Sequence, residues 1–330
     1  MRRRAWGAAR LFGGALILAV VVWRVGPEPF LDGLRGLGPG TLLAALAVGA
    51  LTTFLSAWRW RAVAAALGVG LSLPDATAAY YRSQFLNSAL PGGVLGDVHR
   101  GLRHGVDVGD LGRGLRAVFW ERVAGQLVQV AVAVAVLLAL PSPVQAAMPA
   151  VGAAGVAAGG VLLLTGRGVV RHGPVRLAEA FRAAAVEARG VLLRPPAVHP
   201  VLVTSLLVVG GYVGMFLLAA RAAGVDGTPQ QLLPLALVVL LAAAIPVNVG
   251  GWGPREGAAA WIFSATEWGG GAGAAVSTAF GVLTLVAVLP GAVVLLVGRR
   301  STSVPPTGAR REPPAEVVPS GTRVDGASHG

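Results

Sequence analysis

The chain has 330 residues, 55% of them hydrophobic and only 13% charged, with a mean hydropathy of +0.69; soluble domains carry about 25% charged residues, so this composition belongs to an integral membrane protein. Cysteine is absent, which excludes disulfide frameworks, thiolate catalysis and cysteine-held metals. All 27 basic residues are arginine against 15 acids, a bias that with abundant Ala, Gly and Val points to a GC-rich bacterial genome; the arginines follow the loops instead of gathering on one face, so no nucleic-acid partner is expected.

In chain order, windows of about twenty apolar residues predict spans near residues 7–25, 40–58, 116–140, 145–165, 198–220, 230–247 and 273–298. Arg2, Arg3 and Arg4 ahead of the first apolar run suggest a signal peptide, but no small-residue cleavage site follows, so a retained helix is expected. Between the fourth and fifth spans, "VRLAEAFRAAAVEARGVLL" sets Val175, Leu177, Ala178, Phe181, Ala185 and Val186 at helical spacing among Arg and Glu. This predicts an amphipathic surface helix. The segment 299–330 is rich in Pro, Ser, Gly and Arg and cannot bury a core, so it is expected to be a disordered cytoplasmic tail behind a membrane domain of residues 1–298.

Arginine-rich segments alternate with arginine-poor ones. Residues 1–10, 59–116 and 167–194 hold most of the arginines before the tail, whereas the intervening loops hold Arg35 and Arg221, each near an acid. The positive-inside rule puts the rich segments, and the N-terminus with them, in the cytoplasm. Seven crossings would leave Arg299 and Arg300 outside, so an even number is expected, with residues 252–268 supplying an irregular crossing. Both termini are then cytoplasmic, in the inner (cytoplasmic) membrane.

Two interrupted stretches stand out, "FLNSALPGGVLGDVHRG" and "LAAAIPVNVGGWGPREG". Each runs from an apolar segment through a proline and glycines to charged residues, and Pro91 and Pro246 lie about half the chain apart. Pro91, Gly92, Gly93 and Gly96, and Pro246, Gly250, Gly251 and Gly253, are the expected helix-breaking residues, because proline removes a donor and glycine permits unusual dihedrals. Breaks of this kind in matching positions mark transporters with discontinuous helices, whose free backbone ends hold polar substrates. The plainer alternative makes each motif an interfacial turn, with Asp97 and Arg100 an i,i+3 helical pair. The predicted fold is an all-α polytopic membrane bundle of about seven or eight transmembrane segments with two broken or re-entrant glycine-rich helices and, if the halves are related, an internal repeat.

"NSALPGGVLGDVHRG", "WERVAG" at 120–125 and "IPVNVGGWGPREG" at 245–257 together resemble the flippase-like transmembrane domain of lysylphosphatidylglycerol synthases, over about 298 residues. The resemblance implies a domain that moves an aminoacylated or anionic phospholipid across the bilayer. Full-length members carry a soluble aminoacyl-transferase domain after the membrane part; here the tail takes its place, so synthase activity is expected to be absent. Val247 and Asn248 depart from the small hydroxyl residue that relatives often carry there. Carried over position by position, the resemblance makes Asp97, Arg100, Glu121, Arg122, Arg255 and Glu256 the substrate-binding candidates. Their guanidiniums suit a lipid phosphate, and their carboxylates suit an ammonium headgroup or the arginines themselves.

No catalytic residue, cofactor or metal is expected. His104, His172, His199 and His329 have no ligand spacing, and His99 stands without a second histidine. Trp58, Trp60, Trp252, Trp261 and Trp268 suit interfacial belts or packing. Alternatives to lipid translocation are a membrane-embedded transferase or phosphatase using Asp97 and His99 as acid and base, and a non-catalytic partner of a cell-envelope biosynthetic enzyme. The expectation to be tested in space is that Arg100 and Arg255 meet in one polar cavity, with Asp97, Glu121 and Glu256 beside them.

Overall fold

The computed structural model describes residues 23, 28–90, 93–147, 164–165, 167–168, 170–171, 174–245 and 252–297. The first and fourth expected spans fall largely outside these residues, as do Pro91, Gly92, Pro246, Gly250, Gly251 and the tail from 299. The described part is a helical membrane bundle without β-strands among the described residues. Its helices are α1 (Glu28–Arg35), α2 (Pro39–Ala66), α3 (Leu73–Ala89), α4 (Leu95–Asp107), α5 (Leu111–Ala139), α6 (Val175–Leu192), α7 (Pro195–Ala222), α8 (Pro229–Ala243), α9 (Pro254–Ser264), α10 (Gly269–Val288) and α11 (Pro290–Val297).

Among the described residues, four stretches are long and apolar enough to cross a membrane: Pro39–Ala66, Leu111–Ala139, Ala197–Ala222 and Gly269–Val297, with Pro229–Ala243 a shorter apolar helix. They match the second, third, fifth, seventh and sixth expected spans. In lipid the backbone must satisfy itself, so these runs become helices, and their ends are set by local chemistry. Pro39, Pro195 and Pro229 start helices in the first turn, where the missing amide costs nothing. Thr228 and Gln231 form a capping box on α8. Asp110 caps α5 by accepting from the Arg113 amide, and that bond holds its carboxyl below the usual value.

Association follows small residues, as expected where lipid is as apolar as leucine. A Cβ on Gly49 would strike Ala287, one on Gly211 would touch Thr52, and one on Gly273 would strike the Ala259 carbonyl, so α2, α7, α9 and α10 cross at close range. The main core fills the space between α7, α9 and α10, where Phe216 lies 6.4 Å from Phe263 and 5.9 Å from Phe280.

The two ends of the bundle differ in charge. A Cβ on Gly36 would strike the Ala222 carbonyl and one on Gly33 that of Ala275, which brings the arginine-poor segments around 36 and 222 to one end. At the other end Val63, Ala124, Val191 and Val201 pack together, joining α2, α5, α6 and α7 where the chain is arginine-rich. α6 is the expected amphipathic helix. Glu187 fastens it to α5 by accepting from Trp120 Nε1 at 2.9 Å and pairing with Arg116 at 2.7 Å, while Val175 and Val186 remain exposed.

Candidate functional site

Both interrupted motifs interrupt helices. α3 ends at Ala89 and α4 begins at Leu95, with Gly93 at φ 62°; α8 ends at Ala243 and α9 begins at Pro254, with Gly253 at φ 126°. These φ values favour glycine. Asn87 clamps the first break: its Oδ1 accepts from the Gly96 amide at 2.8 Å, and its Nδ2 donates to Asp97 Oδ2 at 3.0 Å. Gly96 itself admits no side chain, because a Cβ there would strike the Ser83 carbonyl on α3.

Folded back in this way, α4 places Asp97 and Arg100 against α2, α3 and α5. Glu121 is the centre of the cluster, fully buried on α5. Its Oε1 accepts from Arg59 Nε at 2.9 Å, Arg59 Nη2 at 2.6 Å and the Tyr80 hydroxyl at 3.0 Å, and its Oε2 accepts from Arg100 Nη2 at 3.0 Å. Asp97 accepts from Ser83 Oγ at 2.9 Å and Arg100 Nη2 at 3.1 Å, and pairs with Arg122 Nη2 at 2.7 Å. The Arg100 guanidinium lies between aromatic faces, 4.4 Å from the Trp60 ring centre and 4.1 Å from that of Tyr80. Among the described residues its Nε and Nη1 have no hydrogen-bond partner, and the ring faces stand in for one.

Beside this cluster, within the bundle, lies a cavity of about 270 Å³. Its polar lining comes from Thr52, Thr53, Ser56 and Arg59 on α2; Tyr80, Gln84, Asn87 and Ser88 on α3; Arg122, Gln126 and Gln129 on α5; Ser205 and Tyr212 on α7; and Thr284 on α10, and Val208, Val209, Met215, Leu240, Ala287 and Val288 supply apolar surface between them. Gly93 lines it from the break. Gly125 leaves room for the Arg59 guanidinium, whose Cζ would lie 3.0 Å from a Cβ there. Arg59 also donates to Ser205 at 3.2 Å.

The sequence-derived candidates therefore divide. Asp97, Arg100, Glu121 and Arg122 come together. Arg255 and Glu256 form a second, separate cluster: Glu256 Oε1 accepts from Arg255 Nε at 2.8 Å, Arg255 Nη2 at 2.6 Å and Ser277 at 3.2 Å, and its Oε2 accepts from the Gly253 amide at 2.7 Å. Arg255 sits 5.1 Å from the Trp252 ring centre, and Gly281 makes room for it. The expectation that Arg100 and Arg255 share one cavity is corrected here. The cavity lining includes Arg59 and Arg122 and neither of those two, because each is drawn onto its own buried carboxylate and aromatic faces. Trp60 and Trp252 serve as cation–π surfaces, and Trp60 is packed in the core, as the packing reading expects.

Sequence reasoning also missed Arg59, Tyr80, Asn87, Gln126, Gln129 and Tyr212. The signal was present in Gln126 and Gln129, four and seven residues after Arg122 on an otherwise apolar span. Glu121 and Arg122 do not pair with each other, unlike the adjacent Arg255 and Glu256; each finds its partner on another helix. His99 is exposed while Asp97, two residues before it, is buried, so the two do not form an acid–base pair.

A family model described as the lysylphosphatidylglycerol synthase TM region matches residues 7–291. Comparison with curated proteins and with solved structures gave no match.

Proposed function

From the premise that the chain belongs to the lysylphosphatidylglycerol synthase TM-region family, membrane proteins of lipid-related processes, we propose that it carries a phospholipid or lipid-linked substrate across the bilayer. The observation that carries this reading is the cavity: a chamber within the bundle, lined by polar and apolar side chains alike, that holds two guanidiniums, Arg59 and Arg122. Charged groups at membrane depth usually face a cavity and mark a substrate path, and a guanidinium offers a phosphate two donors at once. At about 30 Å³ per water, about 270 Å³ has the scale of one headgroup and not of acyl chains, which would stay in lipid.

In this reading the arginine-rich end faces the cytoplasm, both termini lie there, and the membrane is the cytoplasmic one. A lipid-consuming or lipid-producing enzyme of the cell envelope is the fitting partner, since a facilitator without an energy source moves lipid only down a gradient. The test is reconstitution of the full chain in vesicles with a fluorescent phospholipid and a membrane-impermeant quencher. Quenching of the inner-leaflet pool, faster than in protein-free vesicles, is the expected result; an inner pool that stays protected removes translocation as the function.

A further inference from the structure

The charge of the site is not balanced. Arg59, Arg100 and Arg122 face two carboxylates, Asp97 and Glu121, so the cluster beside the cavity holds one surplus positive charge. The carboxylates are also spent: Glu121 is wholly inaccessible with both oxygens engaged, and Asp97 is 11% accessible with both oxygens engaged. Arg122 differs, with 44% of its side chain accessible and an ion pair through Nη2 alone, so the rest of its fork is turned to the cavity it lines. The remaining polar lining is hydroxyl and amide, including Gln84, Gln126, Gln129, Ser205 and Thr284.

Resting on the proposed translocation, we infer that the site selects a lipid whose headgroup joins one monoanionic phosphate ester to a neutral, hydroxyl-bearing moiety, and rejects a headgroup carrying an added fixed cation. The phosphate cancels the surplus charge at Arg122, the guanidinium whose fork is open to the cavity. The hydroxyls exchange hydrogen bonds with the amides and hydroxyls around them. A cationic substituent, as on an aminoacylated lipid, meets the same surplus charge with no open carboxylate among the described residues to receive it, and like charges brought together are unfavourable.

Binding to the purified full-length protein in detergent, read by intrinsic fluorescence, decides the matter with three probes: phosphatidylglycerol, lysylphosphatidylglycerol and the soluble diester glycerophosphoglycerol. Phosphatidylglycerol is expected to bind at least about tenfold more tightly than the lysyl lipid, the scale of one unfavourable charge contact. It should also bind more tightly than the soluble ester. Arg122→Gln, which leaves two cations against two carboxylates, should bring the two lipids near parity, whereas Arg122→Lys should keep the preference; melting curves establish that each variant is folded. Equal or tighter binding of the lysyl lipid, binding of neither lipid by folded protein, or a preference unchanged in Arg122→Gln overturns the inference. Glycerophosphoglycerol binding as tightly as phosphatidylglycerol overturns its lipid part. The vesicle experiment is independent of this ranking: lipid movement without the preference defeats only the selectivity, and the preference without movement defeats only translocation.

Discussion

Glu121 and Arg122 are neighbours in sequence with opposite duties. Glu121 receives hydrogen bonds and ion pairs from α2, α3 and α4, so Glu121→Gln leaves three guanidiniums with one carboxylate in a buried place. Removing one member of a buried pair costs about 3–5 kcal/mol, and a melting temperature in detergent well below that of the parent is expected. Arg122, half-accessible and held by one ion pair to Asp97, contributes less to the fold than Glu121 with its four hydrogen bonds. Arg122→Gln should therefore melt close to the parent while lipid movement in vesicles falls at least about tenfold, the loss of one charge-assisted contact. A variant that melts early and transports normally would reverse these roles. Part of this was legible in the sequence, because charges inside apolar runs draw attention by their cost. Their partners were not: Arg59 reads as the boundary arginine of a span, and nothing in "WERVAG" tells that Glu121 looks toward α2 and α4 while Arg122 looks toward Asp97.

Between elements, the decisive contact is the crossing of α4 on α5. A Cβ on Gly114 would strike Gly105 and the Gly101 carbonyl, so only a glycine lets α4 lie close enough for Asp97 to reach Arg122 and Arg100 to reach Glu121. Gly114→Ala forces the helices apart, and overpacking of this kind costs about 1–3 kcal/mol. Gly40→Ala, which meets nothing within 4 Å, is the control and should melt at or above the parent temperature. If the two alanine variants melt alike, close crossing does not hold this pair. The helix breaks were readable from proline and glycine, and the spans from long apolar runs. The cavity was not, since no helix gives it more than four polar residues and α10 gives only Thr284, too few to register in a twenty-residue average.

For the molecule as a whole, the unequal arginine content of the two ends carries a topological expectation. Reporter fusions at Arg300 and within residues 59–116 should report the same side, and fusions within 26–39 or 221–229 the opposite one; periplasmic exposure at Arg300 would require an odd number of crossings. The last consequence belongs to Asp97. It holds Arg122 through an ion pair, and α3 through Ser83 and Asn87, so an incoming phosphate and this carboxylate contend for one guanidinium. Competition of this kind is reciprocal: by whatever factor Asp97 weakens the phosphate, the phosphate weakens the hold of Asp97 on α5. Asp97→Asn, freed of that rivalry, should bind phosphatidylglycerol more tightly and yet turn over more slowly, because nothing remains to displace the lipid once it has arrived. Dissociation constants and transport rates measured on the same preparation should therefore move in opposite directions, with the native carboxylate acting as the agent of release.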